Sequence, residues 1–370
     1  MWNFKLPTEI IFGNGVSANL EEIASGFGSR KMLVTDKVLA ELPAIQKIVA
    51  GLKNVSVFSD VQPNPTVVNV DSLAARLRDE KIEVVIAVGG GSSIDCAKAA
   101  ACLVMTDEKS IRAFHTEGKK FGLSHLPVIA APTTAGTGSE VTPFAVLDDV
   151  EKNKKGPIAS DSFYPVKAVV DPELTYSVPV KVTAMTGLDA LSHAIEGYWS
   201  KNHQPICDIL AMEAAKKILS NLGNVLDNPS DKKGRNELSY ASLTAGMAFQ
   251  MPKNAIMHAC SFPLSNRFHM PHGSACAFTM EETIRLNAPF MSGRMEVFAD
   301  YCGFENIEGM IQTIRNLKKK GGLPSTIQEA GIPREQIDIL IEESFHPLMN
   351  NNPKEVTKED LENIYRELGA

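Results

Sequence analysis

Residues 82–101 read IEVVIAVGGGSSIDCAKAAA. The segment opens on a run that is apolar and β-branched almost throughout, passes through glycines 89, 90 and 91, and continues into small residues suited to a helix. A run that is apolar at successive positions fits a strand buried on both faces, and such strands belong to parallel sheets covered by helices. Glycines at the switch let the backbone approach a ligand, while the free amides and positive dipole end of the next helix favour an anion. GGGS (89–92) is therefore a candidate phosphate turn; a tight corner alone would also use these glycines.

Three similar runs surround it: KMLVTD (31–36), VSVFSD (55–60) and PVIAAPTTAG (127–136), separated by helix-length segments. The pattern predicts an α/β fold, with an N-terminal doubly wound, Rossmann-like parallel-sheet domain over residues 1–180. PTTAGTGSE (132–140) is a second turn of glycines and hydroxyls. Thr133, Thr134 and Ser139 there suit phosphate, ribose or a ring amide, and equally the capping of local turns. Asp36 ends the first run, a position from which a carboxylate binds an adenosine ribose and repels a 2′-phosphate, which favours NAD over NADP; a plain turn aspartate is the alternative.

Beyond residue 180 the period changes. Residues 183–199, 206–222, 237–249 and 306–320 space their apolar residues at helical intervals, so 181–370 is expected to be an all-helical domain. KKKGG (318–322) reads as a helix end, with lysines at the negative terminus and glycines for a left-handed cap. Thr357 and Asp360 read as a capping box for a last helix. Asp189 and His193, in TGLDALSHAIEGY (186–198), stand four apart and so share a helix face, where they would share a metal ion or simply a hydrogen bond. His258 and His272 are separated by a loop-like LSNRFHMP, which would bring them round to the same ion.

Composition narrows the function. Over 370 residues, 37 basic against 44 acidic side chains leave a net charge of −7, which does not suit a nucleic-acid partner. Six cysteines without a CxxC pair fit reduced thiols better than a secreted disulfide scaffold. MWNFKLPTEI (1–10) lacks the basic start and apolar run of a signal peptide, and no apolar stretch reaches the ~20 residues of a membrane span, so the expected location is the cytoplasm.

EIIFGNG, VQPNPT, AVGGGSSIDCAK, PTTAGTGSEVT, GLDALSHAIEGY and MHACSFPL…MPHG, in this order, resemble the iron-dependent (group III) alcohol dehydrogenases over essentially the whole chain. The resemblance implies that Asp189, His193, His258 and His272 bind one metal, Fe(II) with Zn(II) as the alternative. It implies that Gly89, Gly90, Gly91, Ser92, Thr133, Thr134 and Asp36, with Asn64 and Lys155, contact NAD(H), and that the site lies in the cleft between two domains. It further implies a homodimer acting on a small aldehyde or alcohol.

One departure concerns the substrate. Many members of that family carry a histidine four residues after the third metal ligand, and here the position is Phe262. His269 is nearby, as a substrate contact or a surface residue. Gln250, Lys253, Asn254, Asn266 and Arg267 add polar groups around the histidines. Lys253, Asn254, Phe262 and Arg267 are expected to contact substrate, and an arginine fork suits an oxyanion. The pattern resembles the branch that reduces sulfoacetaldehyde or phosphonoacetaldehyde. A broad-range short-chain alcohol or diol dehydrogenase is the rival. A lyase resembling dehydroquinate synthase fits less well, since that family uses a glutamate with two histidines, and a non-catalytic nucleotide binder would not need four metal-type residues.

Overall fold

In the computed structural model, which describes residues 1–152 and 154–369, the apolar runs become the strands of one parallel sheet. Its strands are β1 (Glu9–Phe12), β2 (Lys31–Val34), β3 (Val55–Phe58), β4 (Val84–Gly89), β5 (Val128–Pro132) and β8 (Lys167–Val170), in the order β1-β8-β5-β4-β2-β3. Strands β2, β4 and β5 are buried at every position, and the edge strands β1 and β3 are not.

The two-residue period sorts side chains to opposite faces. Met32, Val34, Val85, Ala87, Val128 and Ala130 join one apolar cluster; Leu33, Val84, Ile86, Val88, Ile129 and Ala131 join another. Helices α4 (Val67–Asp79) and α5 (Gly91–Leu103) cover the first face, and α1 (Leu20–Ser25) and α3 (Pro43–Gly51) the second. The short helices α2 (Lys37–Ala40) and α6 (Arg112–His115) complete the set. The sheet is thus doubly wound, as the sequence predicts. An antiparallel hairpin, β6 (Phe144–Asp149) with β7 (Lys154–Ala159), is an addition that the sequence reading does not contain.

These elements form one compact unit, Lys5–Thr134 with Gly138–Thr175. The other unit comprises Met1–Phe4, Ala135–Thr137 and Tyr176–Ala370. It is built from α7 (Val180–Trp199), α8 (Pro205–Asp227), α9 (Lys232–Phe249), α10 (Ile256–Phe268), α11 (His272–Phe278), α12 (Met280–Asn287), α13 (Arg294–Tyr301), α14 (Ile307–Lys320), α15 (Ile337–Ser344) and α16 (Lys358–Glu367), around one apolar cluster. The capping box forms at α16, where the Thr357 hydroxyl accepts from the Asp360 amide and the Asp360 carboxylate accepts from the Thr357 amide.

Two local expectations change. The LSNRFHMP segment is not a loop: α10 runs through Pro263 to Phe268, leaving only residues 269–271 as connection. A proline removes one backbone hydrogen bond, and here packing of Leu264 and its neighbours in the core outweighs that loss. The KKKGG helix end forms as expected, with Lys318–Lys320 in the last turn of α14 and Gly322 left-handed at φ 63°; what changes is Lys318, which is fully buried and bridges to Glu281 at 2.9 Å.

Candidate active site

In the α/β unit, β4 and β5 are neighbours in the sheet, so the turns that follow them are adjacent. The Thr133 amide donates to the Gly89 carbonyl at 3.0 Å, and a Cβ on Gly90 would stand 3.4 Å from Thr134 Oγ1. At Gly89 a Cβ would stand 2.4 Å from Ser93 Oγ, so only glycine lets α5 start this close to the strand end. Gly90 is the N-cap of α5 and has no side chain to satisfy the first amides, which leaves them available to an anion. From a third turn, Asn64 adopts a left-handed φ of 55° and its amide donates to Ser92 Oγ at 3.2 Å.

Gly89–Ser92, Thr133, Thr134 and Asn64 thus gather at one end of the sheet. The remaining predicted residues are placed differently. Ser139 is buried and its hydroxyl donates to Asp95 at 2.9 Å. Asp36 caps α2 by accepting from the Leu39 amide at 2.9 Å. Lys155 lies on the β6–β7 hairpin, opposite Asp148.

Sequence reading missed what holds the second turn. Lys98, fully buried on α5, donates to the Ser139 and Thr142 carbonyls at 2.9 and 3.2 Å and pairs with Asp95 at 3.2 Å. Burial pushes the carboxyl of the neighbouring Glu140 up to about 7.

In the helical unit, the 3.6-residue period aligns Asp189, His193 and Glu196 on one face of α7, all buried. Helix α11 lies against that helix closely because residue 273 is glycine. A Cβ there would stand 2.3 Å from the Met185 carbonyl oxygen and 3.1 Å from Asp189 Cβ. This contact sets the adjacent His272 with Nε2 3.8 Å from Asp189 Oδ1. Helix α10 supplies His258, whose Nε2 is 3.1 Å from His193 Nε2 and 4.0 Å from Asp189 Oδ1.

Glu196 orients His258. Its two carboxylate oxygens accept from the Met257 amide and from His258 Nδ1, each at 2.6 Å. With Nδ1 donating to Glu196, the neutral ring of His258 would present the lone pair of Nε2 toward His193, the form a metal ligand takes. Behind His193 the Phe249 ring stacks at 4.1 Å and blocks rotation. A continued count along the α7 face, from 189 through 193 to 196, was the signal that would have found Glu196.

Charge in the cluster is poorly balanced as it stands. Burial pushes Asp189 up to about 6. Burial, with the imidazoles of His258 and His272, holds His193 well below the usual histidine range. Asp189 Oδ1 is buried and has no hydrogen-bond partner among the described residues. A buried carboxylate oxygen without a donor, facing convergent imidazole nitrogens, is the arrangement that a cation completes. Asp189, His258 and His272 are joined there by Cys276, the four donor atoms lying within 4.8 Å of one another. His272 keeps 32% of its side chain exposed while Asp189 and His258 keep 3–4%, so the open side of the cluster is at His272.

The expected substrate residues surround α10. Lys253 is exposed and left-handed, with φ 67°, and Asn254 Oδ1 is buried without a partner among the described residues. Phe262 packs on the His346 ring at 4.8 Å. His346 is a residue the sequence reading does not single out; its Nδ1 accepts from the Leu348 amide. Both arms of the Arg267 fork are engaged by Glu343, Nε at 2.7 Å, so the charge of Arg267 is balanced within the protein. His269 is exposed and ends α10 as its left-handed cap.

Strand-end glycine turns on a doubly wound sheet, with a buried imidazole–carboxylate cluster on helices, are the equipment of a metal-dependent, dinucleotide-linked oxidoreductase. Residues 7–172 match the family model described as iron-containing alcohol dehydrogenase, and residues 183–369 match that of the Fe-containing alcohol dehydrogenase family, C-terminal. The chain is 32% identical to the NADPH-dependent butanol dehydrogenase of Clostridium saccharobutylicum, covering 99% of this chain and 97% of the relative. It is likewise 32% identical to the 1,3-propanediol dehydrogenase of Klebsiella pneumoniae, at 99% and 98% coverage. Among solved structures, the sulfoacetaldehyde reductase from Bifidobacterium kashiwanohense in complex with NAD+ is 43% identical, with a TM-score of 0.96 and coverage of 100% of this chain and 99% of that one.

The chain belongs to the iron-containing alcohol dehydrogenase family. It is an oxidoreductase whose cofactors are a nicotinamide dinucleotide and a divalent metal ion.

Proposed function

We propose that the protein is an NADH-linked reductase of short aldehydes that prefers an anionic two-carbon aldehyde, sulfoacetaldehyde first. The observation that carries the reading is the 43% identity to a sulfoacetaldehyde reductase over the full chain, against 32% for the butanol and propanediol dehydrogenases at equal coverage.

Asp189, His193, His258 and His272 would hold the metal, and Gly89–Ser92, Thr133, Thr134 and Asn64, with Asp36 and Lys155, the dinucleotide. When bound, the cation supplies Lewis-acid polarisation of the substrate carbonyl and the nicotinamide supplies the hydride. Glu196 keeps His258 in one tautomer, and Phe249 keeps His193 in one plane. The open side at His272 admits the aldehyde. Phe262 gives the pocket an apolar wall, while Lys253 and Asn254 offer a cation and an amide for a sulfonate. Asp36, retaining one carboxylate oxygen outside its cap bond, supports NAD over NADP. Six buried free thiols support a reducing, cytoplasmic location, and a homodimer is the expected assembly.

One observation favours the rival reading of a broad short-chain alcohol or diol dehydrogenase: Arg267 is neutralised by Glu343. NADH oxidation by metal-analysed protein distinguishes the two. We expect kcat/KM for sulfoacetaldehyde to exceed that for acetaldehyde and butanal by about tenfold or more, the effect of one charge-assisted contact. Lys253→Met should raise KM for charged aldehydes alone. Preference for the uncharged aldehydes, or equal effects of Lys253→Met and Arg267→Met on all substrates, overturns the anionic assignment.

A further inference from the structure

Five of the six cysteines are accounted for as buried packing residues. Cys96 and Cys102 lie in the apolar cluster between sheet and helices, and Cys260 and Cys302 in that of the helical unit. Cys207 is buried on α8. Cys276 is also completely buried and, like Cys207, belongs to neither cluster; what distinguishes it is its neighbours. Its surroundings are donor atoms: Sγ is 3.7 Å from His272 Nε2 and 3.9 Å from His272 Nδ1, and shares the 4.8 Å group with Asp189 and His258.

The helix geometry explains the placement. Cys276 follows His272 by four residues on α11, so the two side chains stack on one face. The Gly273 contact turns that face toward α7. The second sign of a ligand is Asp189 Oδ1: the residue is 2% exposed, and this oxygen has no hydrogen-bond partner among the described residues.

We infer that Cys276 Sγ is a further donor to the same cation, so that the centre is an imidazole–carboxylate–thiolate site. The inference rests on the metal-centre reading above. Ligands at ~2.0–2.1 Å (N, O) and ~2.3 Å (S) from one ion stand roughly 3.3–3.6 Å apart at tetrahedral angles and at most ~4.4 Å apart in any geometry. Three separations, 3.7, 3.8 and 4.0 Å, fall inside that limit, and the four donor atoms together lie within 4.8 Å of one another, so the set closes on one ion with a shift of at most about 0.4 Å. On coordination a metal–sulfur bond would replace the S–H bond, with the proton released to solvent past the partly exposed His272. A thiolate donor biases the site toward thiophilic ions such as Zn(II) relative to an all-nitrogen-and-oxygen set.

The test loads the full-length apoprotein with Co(II) under anaerobic conditions and reads metal content and optical spectrum together. The wild type should bind one ion per chain and show both ligand-field bands and a near-ultraviolet sulfur-to-cobalt charge-transfer band. Cys276→Ser should keep the ion and the ligand-field bands, lose the charge-transfer band, and bind Zn(II) about ten- to a hundredfold more weakly. One bound Co(II) with ligand-field bands and no charge-transfer band in the wild type overturns the inference while the metal-centre reading stands. A band that survives in Cys276→Ser does the same. No Co(II) bound by the wild type overturns both.

Discussion

Replacing Gly273 by alanine should unseat His272 without touching any donor atom. The new Cβ would lie 2.3 Å from the Met185 carbonyl oxygen and 2.9 Å from its carbon, whereas Cβ contacts under 3.0 Å are not sustained. Helix α11 must therefore retreat by roughly 0.7 Å, because the obstacle is helix backbone and the packed interior cannot absorb the shift locally. Metal–ligand distances tolerate about 0.2 Å, so His272, carried one residue away on the same helix, moves several times that limit.

Overpacking of this kind costs about 1–3 kcal/mol in stability. The loss in metal affinity should be about ten- to a hundredfold, the range seen when ligand support is removed. Retained metal after dialysis against graded chelator reads the affinity, and thermal unfolding reads the fold. Gly223→Ala is the control: its Cβ would meet only Leu317 Cδ2 at 3.5 Å, an ordinary contact, and alanine in a helix interior is neutral or stabilising by up to ~1 kcal/mol. Wild-type chelator resistance in folded Gly273→Ala would refute the argument that this close approach positions the ligand.

Glu196→Gln should leave the fold intact but weaken metal binding about ten- to a hundredfold, because the amide cannot accept from both Met257 N and His258 Nδ1 with its two ends; unchanged affinity by isothermal titration would remove its orienting role. Lys318→Met strands the buried Glu281 carboxylate and should cost about 3–5 kcal/mol in urea unfolding, with much of it recovered in Lys318→Met/Glu281→Leu. Failure of the double variant to recover would mean that packing, not the uncompensated charge, sets the cost. Paired with Arg112, Asp149 is held down to about 2, against about 3.9 unfolded. Its stabilisation is therefore fully present above pH ~4 and lost as pH falls through ~2. The melting temperature of wild type should exceed that of Asp149→Asn at pH 6, with the gap closing toward pH 2; a constant gap would count against the ion pair as the source.

The strands at 31, 84 and 128 were legible because burial on both faces leaves unbroken apolar runs in the chain itself, and the edge strand at 55 because its valines and phenylalanine still mark a β-branched run. The edge strand β1, its neighbour β8 and the β6–β7 hairpin carry weaker runs, and no local signal sets them apart from loops. Helix α10 was misread at its second half because Pro263 and the polar Asn266–Arg267 pair look like a loop. Their helical state depends on what the apolar side of α10 packs against.

The same division holds at the site. Asp189 with His193, and the glycine turns with their hydroxyls, declare themselves because the chemistry lies within one helix turn or one short turn of chain. The sequence by itself therefore determined the sheet, the helical half, the family resemblance and the identity of the histidines worth watching. What tertiary structure alone decided is convergence: His258 meets Glu196 across 62 residues and His193 across 65, and Cys276 enters a polar group rather than an apolar core. Arg267, an anion reader on sequence grounds, finds its carboxylate 76 residues away in Glu343. Whether a charge is available or spent depends on the partner that folding brings to it, and local periodicity carries no record of that partner.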